Sequence, residues 1–408
     1  MKSIKLLIAF LFFAANGMVS ALEEPQGSDS DTGAEADIAQ VQKESEISHT
    51  QRIKSQRRSL FNELSPIMQA GGYSVGNVRE FKPTSNPRPI DTAIPTQRQQ
   101  AIIESARKIA KDNPTLALIL AEKGKILFET YNAPADQATP LLSWSMSKSL
   151  AAYTIGNMHC SGIIGSLDDQ AANYTRLLSG TVYGEATVRD LLKMSSGAGR
   201  VIANGEKKVD AWPAIRQRSY TIRQYISDFH KREIGPFGPI KSGSTFVYSN
   251  LDTSSLGFVA ESNGGFANNF ERFIWARIGA ESAAYWTLDR ERFALTYSGF
   301  HAVARDWVRL AMFSLSQLNS NDSCIKKFMQ MATTRQISNH GDCCRTFKSY
   351  GYQTWVADFG PRQSFWWVGY GGQRIGIDPK TEQILVVFSW AEDYMDQVYD
   401  LFARWQRD

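Results

Sequence analysis

Cysteine and histidine are scarce: four and five residues in a chain of 408. The cysteines are Cys160, Cys324, Cys343 and Cys344. His340 stands near the last two, but this spacing matches no standard zinc finger, so no metal site is expected. No cysteine follows the small-residue stretch Val19-Ser20-Ala21, so no lipid attachment is expected there. After residue 21 no run of apolar residues is long enough to span a bilayer. No aromatic and basic pattern interleaves, so nucleic acid is not an expected partner. No internal repeat is apparent.

The one strongly apolar run lies at the start. Lys2 and Lys5 precede Leu6 to Ala15, and Val19-Ser20-Ala21 follows, which reads as a secretory signal over residues 1–21. The mature chain is then expected to be secreted or periplasmic, with no stable membrane insertion after cleavage. Residues 22–46 carry eight acidic side chains against Lys43 alone. Residues 22–90 therefore read as a flexible acidic tail and linker. In an exported protein the cysteines are open to oxidation. Adjacent Cys343 and Cys344 fall short of the usual Cα separation for a disulfide, so Cys324 is expected to pair with one of them. Cys160 stays open.

Residues 91–408 form the expected folded body. Residues 97–112 read as an amphipathic helix. "TLALILAEKGKILFETY" reads as two strands around Glu122-Lys123-Gly124. Helical pattern dominates from about 145 to 290. "GYQTWVADFG", "SFWWVGYGG", "QRIGIDP" and "EQILVVFSW" then alternate like an antiparallel meander, and "AEDYMDQVYDLFARWQ" closes as a helix. The order predicts an α/β fold: an antiparallel sheet flanked by helices, its first strands pairing with its last, beside a mainly helical second lobe.

Three places carry chemistry. "SWSMSKSL" holds Ser145 three residues before Lys148, a spacing that puts hydroxyl and amine on one helix face. A serine needs a neighbouring base to attack, and a desolvated lysine is one. The spacing recurs at Ser105–Lys108, within a charged helical run, and at Ser323–Lys326, after a turn, so it decides nothing alone. "VYSNLDT" places Tyr248 and Asn250 as a proton carrier and an orienting amide. "WWVGYGGQRIGIDP" supplies Gly369, Gly371 and Gly372 for close backbone approach, and the N–H groups of Ser145 and Gln373 for an oxyanion hole. Trp366 and Trp367 alternate on their strand, so at most one faces a cleft; Trp366 is taken as the lining residue.

Together, in this order, these segments resemble the penicillin-binding protein and serine β-lactamase superfamily, nearest its class C branch with esterases and 6-aminohexanoate-dimer hydrolases. The resemblance runs from about residue 90 to the end, and includes "SLDDQAANY", "TVRDLLKMSSG" and "AYWTLDRERFALTYSGFHAVARDWVRLAMF". It implies a Ser145 acyl-enzyme, acid–base catalysis by Lys148 and Tyr248, and substrate contacts from Asn250, Tyr370, Gly371 and Gly372. No metal or organic cofactor is implied. One departure stands out: Tyr370 occupies the place where that superfamily carries Lys or His. A carboxylate-binding cation is missing there, which favours a small neutral amide or ester over a β-lactam. A β-lactamase or D,D-peptidase/transpeptidase activity on cell-wall-type substrates is the alternative within the fold; a non-catalytic binding or sensor module is the alternative of another class. No oligomeric state follows from the sequence.

Overall fold

The computed structural model describes residues 78–199, 220–232, 234–235, 238–341 and 343–407. The expected signal segment and nearly all of the acidic tail lie outside them. In chain order the principal elements are β1 (Val78–Phe81), α1 (Gln97–Asp112), β2 (Thr115–Glu122), β3 (Lys125–Tyr131), β4 (Leu141–Leu142), α2 (Ser147–Cys160), α3 (Ile222–Asp228), α4 (Asn250–Ser262), β5 (Ala284–Thr287) and β6 (Phe300–Ala302). There follow α5 (Ala304–Leu318), α6 (Ser323–Thr333), β7 (Ile337–Ser338), β8 (Ser349–Tyr350), β9 (Trp355–Ala357), β10 (Ser364–Gly369), β11 (Gln373–Asp378), β12 (Gln383–Ser389) and α7 (Met395–Trp405). The folded body thus reaches back into the expected linker, because β1 pairs antiparallel with β5, Val78 opposite Thr287.

The main sheet is antiparallel in the order β3-β2-β12-β11-β10-β9-β8-β7. Its centre joins the two ends of the chain: Leu120 on β2 lies opposite Leu385 on β12. A smaller sheet runs β1-β5-β6-β4. Thr96 starts α1 with a reciprocal capping box to Gln99. Gly124, at φ 77°, makes the tight β2–β3 connection.

Side chains alternate across a strand, and here both faces are covered. Ala117, Ile119 and Ala121 pack into one core with α2 and α5, while Leu118 and Leu120 pack into a second core with α1 and α7. This double burial is why the strands read as almost unbroken apolar runs. It also corrects the role given to Trp366. Trp366 and Trp367 do alternate, but both are fully buried. Trp366 packs among Tyr399 and Phe402, and the Trp367 indole N–H donates to the Tyr153 hydroxyl at 3.1 Å. Neither faces a cleft.

The disulfide expectation is also corrected: Cys160 pairs with Cys324, with Cα atoms 5.6 Å apart. The bond ties the last residue of α2 to the start of α6 and closes a loop across 164 positions. Replacing both cysteines by serine is expected to lower stability by about 3–5 kcal/mol, read as a lower denaturation midpoint in urea; an unchanged midpoint would show that α2 and α6 hold together without it. Among the described residues no helix is long and apolar enough to cross a membrane, and no group of three metal-ligating side chains converges.

Candidate active site

The four serines of "SWSMSKSL" separate by burial. Ser143 and Ser147 are fully buried and share a hydrogen bond of 2.6 Å. Ser149 is buried and donates to the Gln353 carbonyl at 2.6 Å. Ser145 alone opens onto a cleft of about 500 Å³. It sits in a 3-10 turn, Trp144–Met146, that runs straight into α2. Lys148, one turn on, points back beneath it. The two competing serine–lysine pairs face elsewhere: Ser105 bonds its own helix at Ala101, and Ser323 opens α6.

Lys148 is almost wholly buried and its Nζ meets three oxygens: Ser145 Oγ at 3.0 Å, Asn250 Oδ1 at 2.7 Å and the Tyr297 carbonyl at 2.9 Å. No carboxylate compensates its charge within this set. Burial therefore lowers its pKa from the ordinary lysine value to about 7. The amide and the carbonyl can only accept from it, whereas the serine hydroxyl can also donate. A neutral amine fits this set fully: two N–H groups for the two acceptors, and its lone pair for the Ser145 proton.

The Tyr248-Ser249-Asn250 stretch works by division of labour. Ser249 caps α4, its Oγ accepting from the Leu251 and Asp252 N–H groups at 3.1 and 3.3 Å. The cap puts Asn250 at the first helical position, reaching Lys148, and leaves Tyr248 just outside. The Tyr248 hydroxyl is hydrogen-bonded to Ser145, and burial pushes its pKa well above the usual phenol value. Its ring stacks on Trp355, centroids 5.5 Å apart. Tyr248 is thus a fixed, protonated phenol, suited to donate a proton.

The third wall is the end of β10. Gly369 lies so close to the nucleophile turn that a Cβ there would come within 2.3 Å of the Ser143 carbonyl oxygen. A tight turn over Tyr370–Gly372 follows, with Gly372 at φ 89°. Tyr370 is 62% exposed, and its ring meets Trp144 edge-on at 5.5 Å. Gln373 is different. It is fully buried on β11, its amide donating to the Tyr370 and Ser389 carbonyls at 2.8 and 2.7 Å. It fastens the turn, while Gly369 and Tyr370 line the cleft beside Ser145. The Tyr370 N–H, just past the end of β10 and beside Ser145 in the cleft lining, joins that of Gln373 as a candidate second oxyanion donor.

Several residues in or around the site escape the sequence reading, some of them behind the cleft wall and others lining it. The Tyr297 carbonyl carries no sequence signal at all. Trp144 was visible only as the neighbour of Ser145. Cys343, Cys344 and Glu392 also border the cleft. Among the described residues lining it, Glu392 is the one charged residue; it accepts from the Gly371 N–H at 3.0 Å. Arg374 is buried behind the wall, donating to the Gly369 carbonyl at 2.6 Å. At Tyr370 the cleft offers a ring and a hydroxyl, and no cation stands among its described lining residues.

Comparison with known proteins places these features in context. The Beta-lactamase family model matches residues 99–406. A 6-aminohexanoate-dimer hydrolase of Paenarthrobacter ureafaciens is 21% identical over 343 residues, covering 78% of this chain and 86% of that protein. A Bacillus anthracis structure provisionally named a 6-aminohexanoate-dimer hydrolase superposes with a TM-score of 0.61 at 20% identity, over 83% of this chain and 92% of that one. A class C β-lactamase from Rhodobacter sphaeroides superposes with a TM-score of 0.55 at 16% identity, over 75% and 99%.

Proposed function

The chain belongs to the Beta-lactamase family, and on that premise we propose that it is a serine hydrolase cleaving an amide or ester bond of a small, neutral substrate through a Ser145 acyl-enzyme. The observation that carries this reading is the buried Lys148 amine, whose three partners leave it a lone pair for the Ser145 proton.

The steps follow from the contacts. Neutral Lys148 takes the Ser145 proton as Oγ attacks the substrate carbonyl carbon. The oxyanion is held by the N–H groups of Ser145 and Tyr370. Tyr248, bonded to Ser145, passes a proton to the leaving nitrogen or oxygen and is replenished from Lys148. Water then enters, gives its proton back through the same groups, and frees the acid. Asn250 holds the amine in register for both halves. Export of the mature chain to the periplasm or medium is part of the same proposal and rests on the Lys2–Ala21 segment.

Within the fold, a β-lactamase or D,D-peptidase is the second reading. The Tyr370 position argues against it, since a substrate carboxylate would meet a ring face and, nearby, the Glu392 carboxylate. Labelling with a fluorophosphonate followed by intact-mass measurement is expected to add one probe per chain. Neutral esters and linear amides should exceed carboxylate-bearing β-lactams in kcat/KM by about 10–100-fold, the value of one charge-assisted hydrogen bond. A folded chain that takes no probe would refute catalysis, and faster β-lactam turnover would refute the neutral-substrate claim.

A further inference from the structure

The acyl-transfer chemistry uses neither Cys343 nor Cys344, yet both line the same cleft as Ser145. Successive side chains on an extended chain point to opposite sides. Here Cys344 adopts a left-handed backbone, φ 47°, which turns both sulfurs the same way. The two Sγ atoms lie 2.8 Å apart. The loop that presents them is pinned on both sides. Asn339 Nδ2 donates to the Cys343 and Phe347 carbonyls at 2.7 and 2.8 Å, and the Phe347 N–H donates to the Cys344 carbonyl at 2.9 Å. Both residues are half-buried, so a small reagent in the cleft reaches them.

We propose that Cys343 and Cys344 form a reversible dithiol–disulfide couple on the wall of the Ser145 cleft, closed by thiol–disulfide exchange with small-molecule disulfides of the glutathione class. One cysteine thiolate attacks a sulfur of the small disulfide, forming a mixed disulfide and releasing one small thiol. The neighbouring thiolate attacks the cysteine sulfur of that mixed disulfide and releases the second. Two electrons pass from the cysteine pair to the reagent, and the two cysteine protons end on the two released thiols.

Adjacent Cα atoms are about 3.8 Å apart, below the usual 4.4–6.8 Å range for a disulfide. A bond between them closes a strained eight-membered ring, which is easily reduced. Such a pair opens and closes with the surroundings, whereas the Cys160–Cys324 bond staples two helices. The location gives closure a consequence. The adjacent Cys343 sulfur and burial push the Cys344 thiol up and hold it protonated, so the charge of the open pair falls to Cys343, where a thiolate would raise the proton affinity of both Lys148 and Tyr248. Closing the ring abolishes that influence and removes two S–H groups from the wall. This consequence, unlike the couple itself, rests on Ser145 being the nucleophile.

The test uses the full purified chain, incubated with reduced or oxidised glutathione, then denatured, alkylated with N-ethylmaleimide and digested. The peptide holding both cysteines should lose two hydrogens and refuse maleimide after oxidation, and take two maleimides after dithiothreitol. Full alkylation after oxidant, or a persistent single glutathione adduct, overturns the couple. In parallel, fluorophosphonate labelling of Ser145 should differ about fivefold between the two states, the ratio one hydrogen bond carries, and a chain with Cys343→Ser and Cys344→Ser should ignore the oxidant. A closed pair with an unchanged labelling rate overturns the influence on the site. A chain unlabelled in both states counts against the proposed nucleophile, and the peptide masses still decide the couple.

Discussion

Ser145→Ala is expected to abolish the fluorophosphonate adduct and to cut kcat by about 10⁴-fold or more, with the melting temperature little changed. The hydroxyl faces the cleft, and its removal leaves no apolar void. The neighbouring serines predict the opposite pattern. Ser143→Ala and Ser147→Ala break a buried hydroxyl pair, so each should lower stability by about 1–3 kcal/mol while the folded fraction still takes the probe. The contrast separates a nucleophile from a polar strut within one octapeptide. An adduct that persists in Ser145→Ala would identify another serine as the nucleophile and sink the mechanism.

The second large effect belongs to Lys148. Lys148→Met is expected to slow acylation about 10²–10⁴-fold, the usual contribution of a positioned general base. Methionine fills a similar volume but takes the Lys148 donor away from Asn250 Oδ1 and the Tyr297 carbonyl, so stability should fall by about 1–3 kcal/mol while the chain stays folded. The pH dependence fixes the sign. The catalytic form is the neutral amine, and burial places its pKa at about 7. The kcat/KM of the unaltered chain should therefore climb as pH rises through about 7 and level off above it. In Lys148→Met both the rate and that inflection should vanish. A rate that falls as pH rises through 7 would mean that the ammonium is the working form, and Lys148 would then be no base.

Much of this architecture was legible in the residues. The helix at 97–112, the strand pair around Lys123-Gly124, the C-terminal meander and the closing helix follow from periodicity and turn chemistry. So does the pairing of early with late strands. Serine, lysine, tyrosine and asparagine converge as their order suggested. What escaped depended on three-dimensional closure. Alternation alone would leave one strand face, and with it Trp366, free for a cleft, but helices cover both faces of this sheet, and the cleft opens at the end of β10. The sequence offers the Gln373 N–H on a strand edge for the oxyanion hole, and Gln373 does start β11; what it does not show is that the turn over Tyr370–Gly372 buries the Gln373 side chain and leaves Tyr370 beside the nucleophile. Cys324 pairs with distant Cys160 because α2 packs against α6, and nearness in sequence says nothing of that.

The pairing of β2 with β12 bears on synthesis. Residues 115–122 leave the ribosome long before residues 383–389 exist, so β2 and β3 must wait as a lone hairpin with one edge bare. A two-stranded unit is not stable by itself, and an open apolar edge invites other chains. Completion of the main sheet is therefore a late event dominated by distant contacts, and it should be slow. A premature stop anywhere before β12 strands this hairpin without its partner, so C-terminal truncations should yield aggregates instead of a smaller working enzyme. For the same reason the last strands cannot be trimmed as a dispensable tail: they are the middle of the sheet.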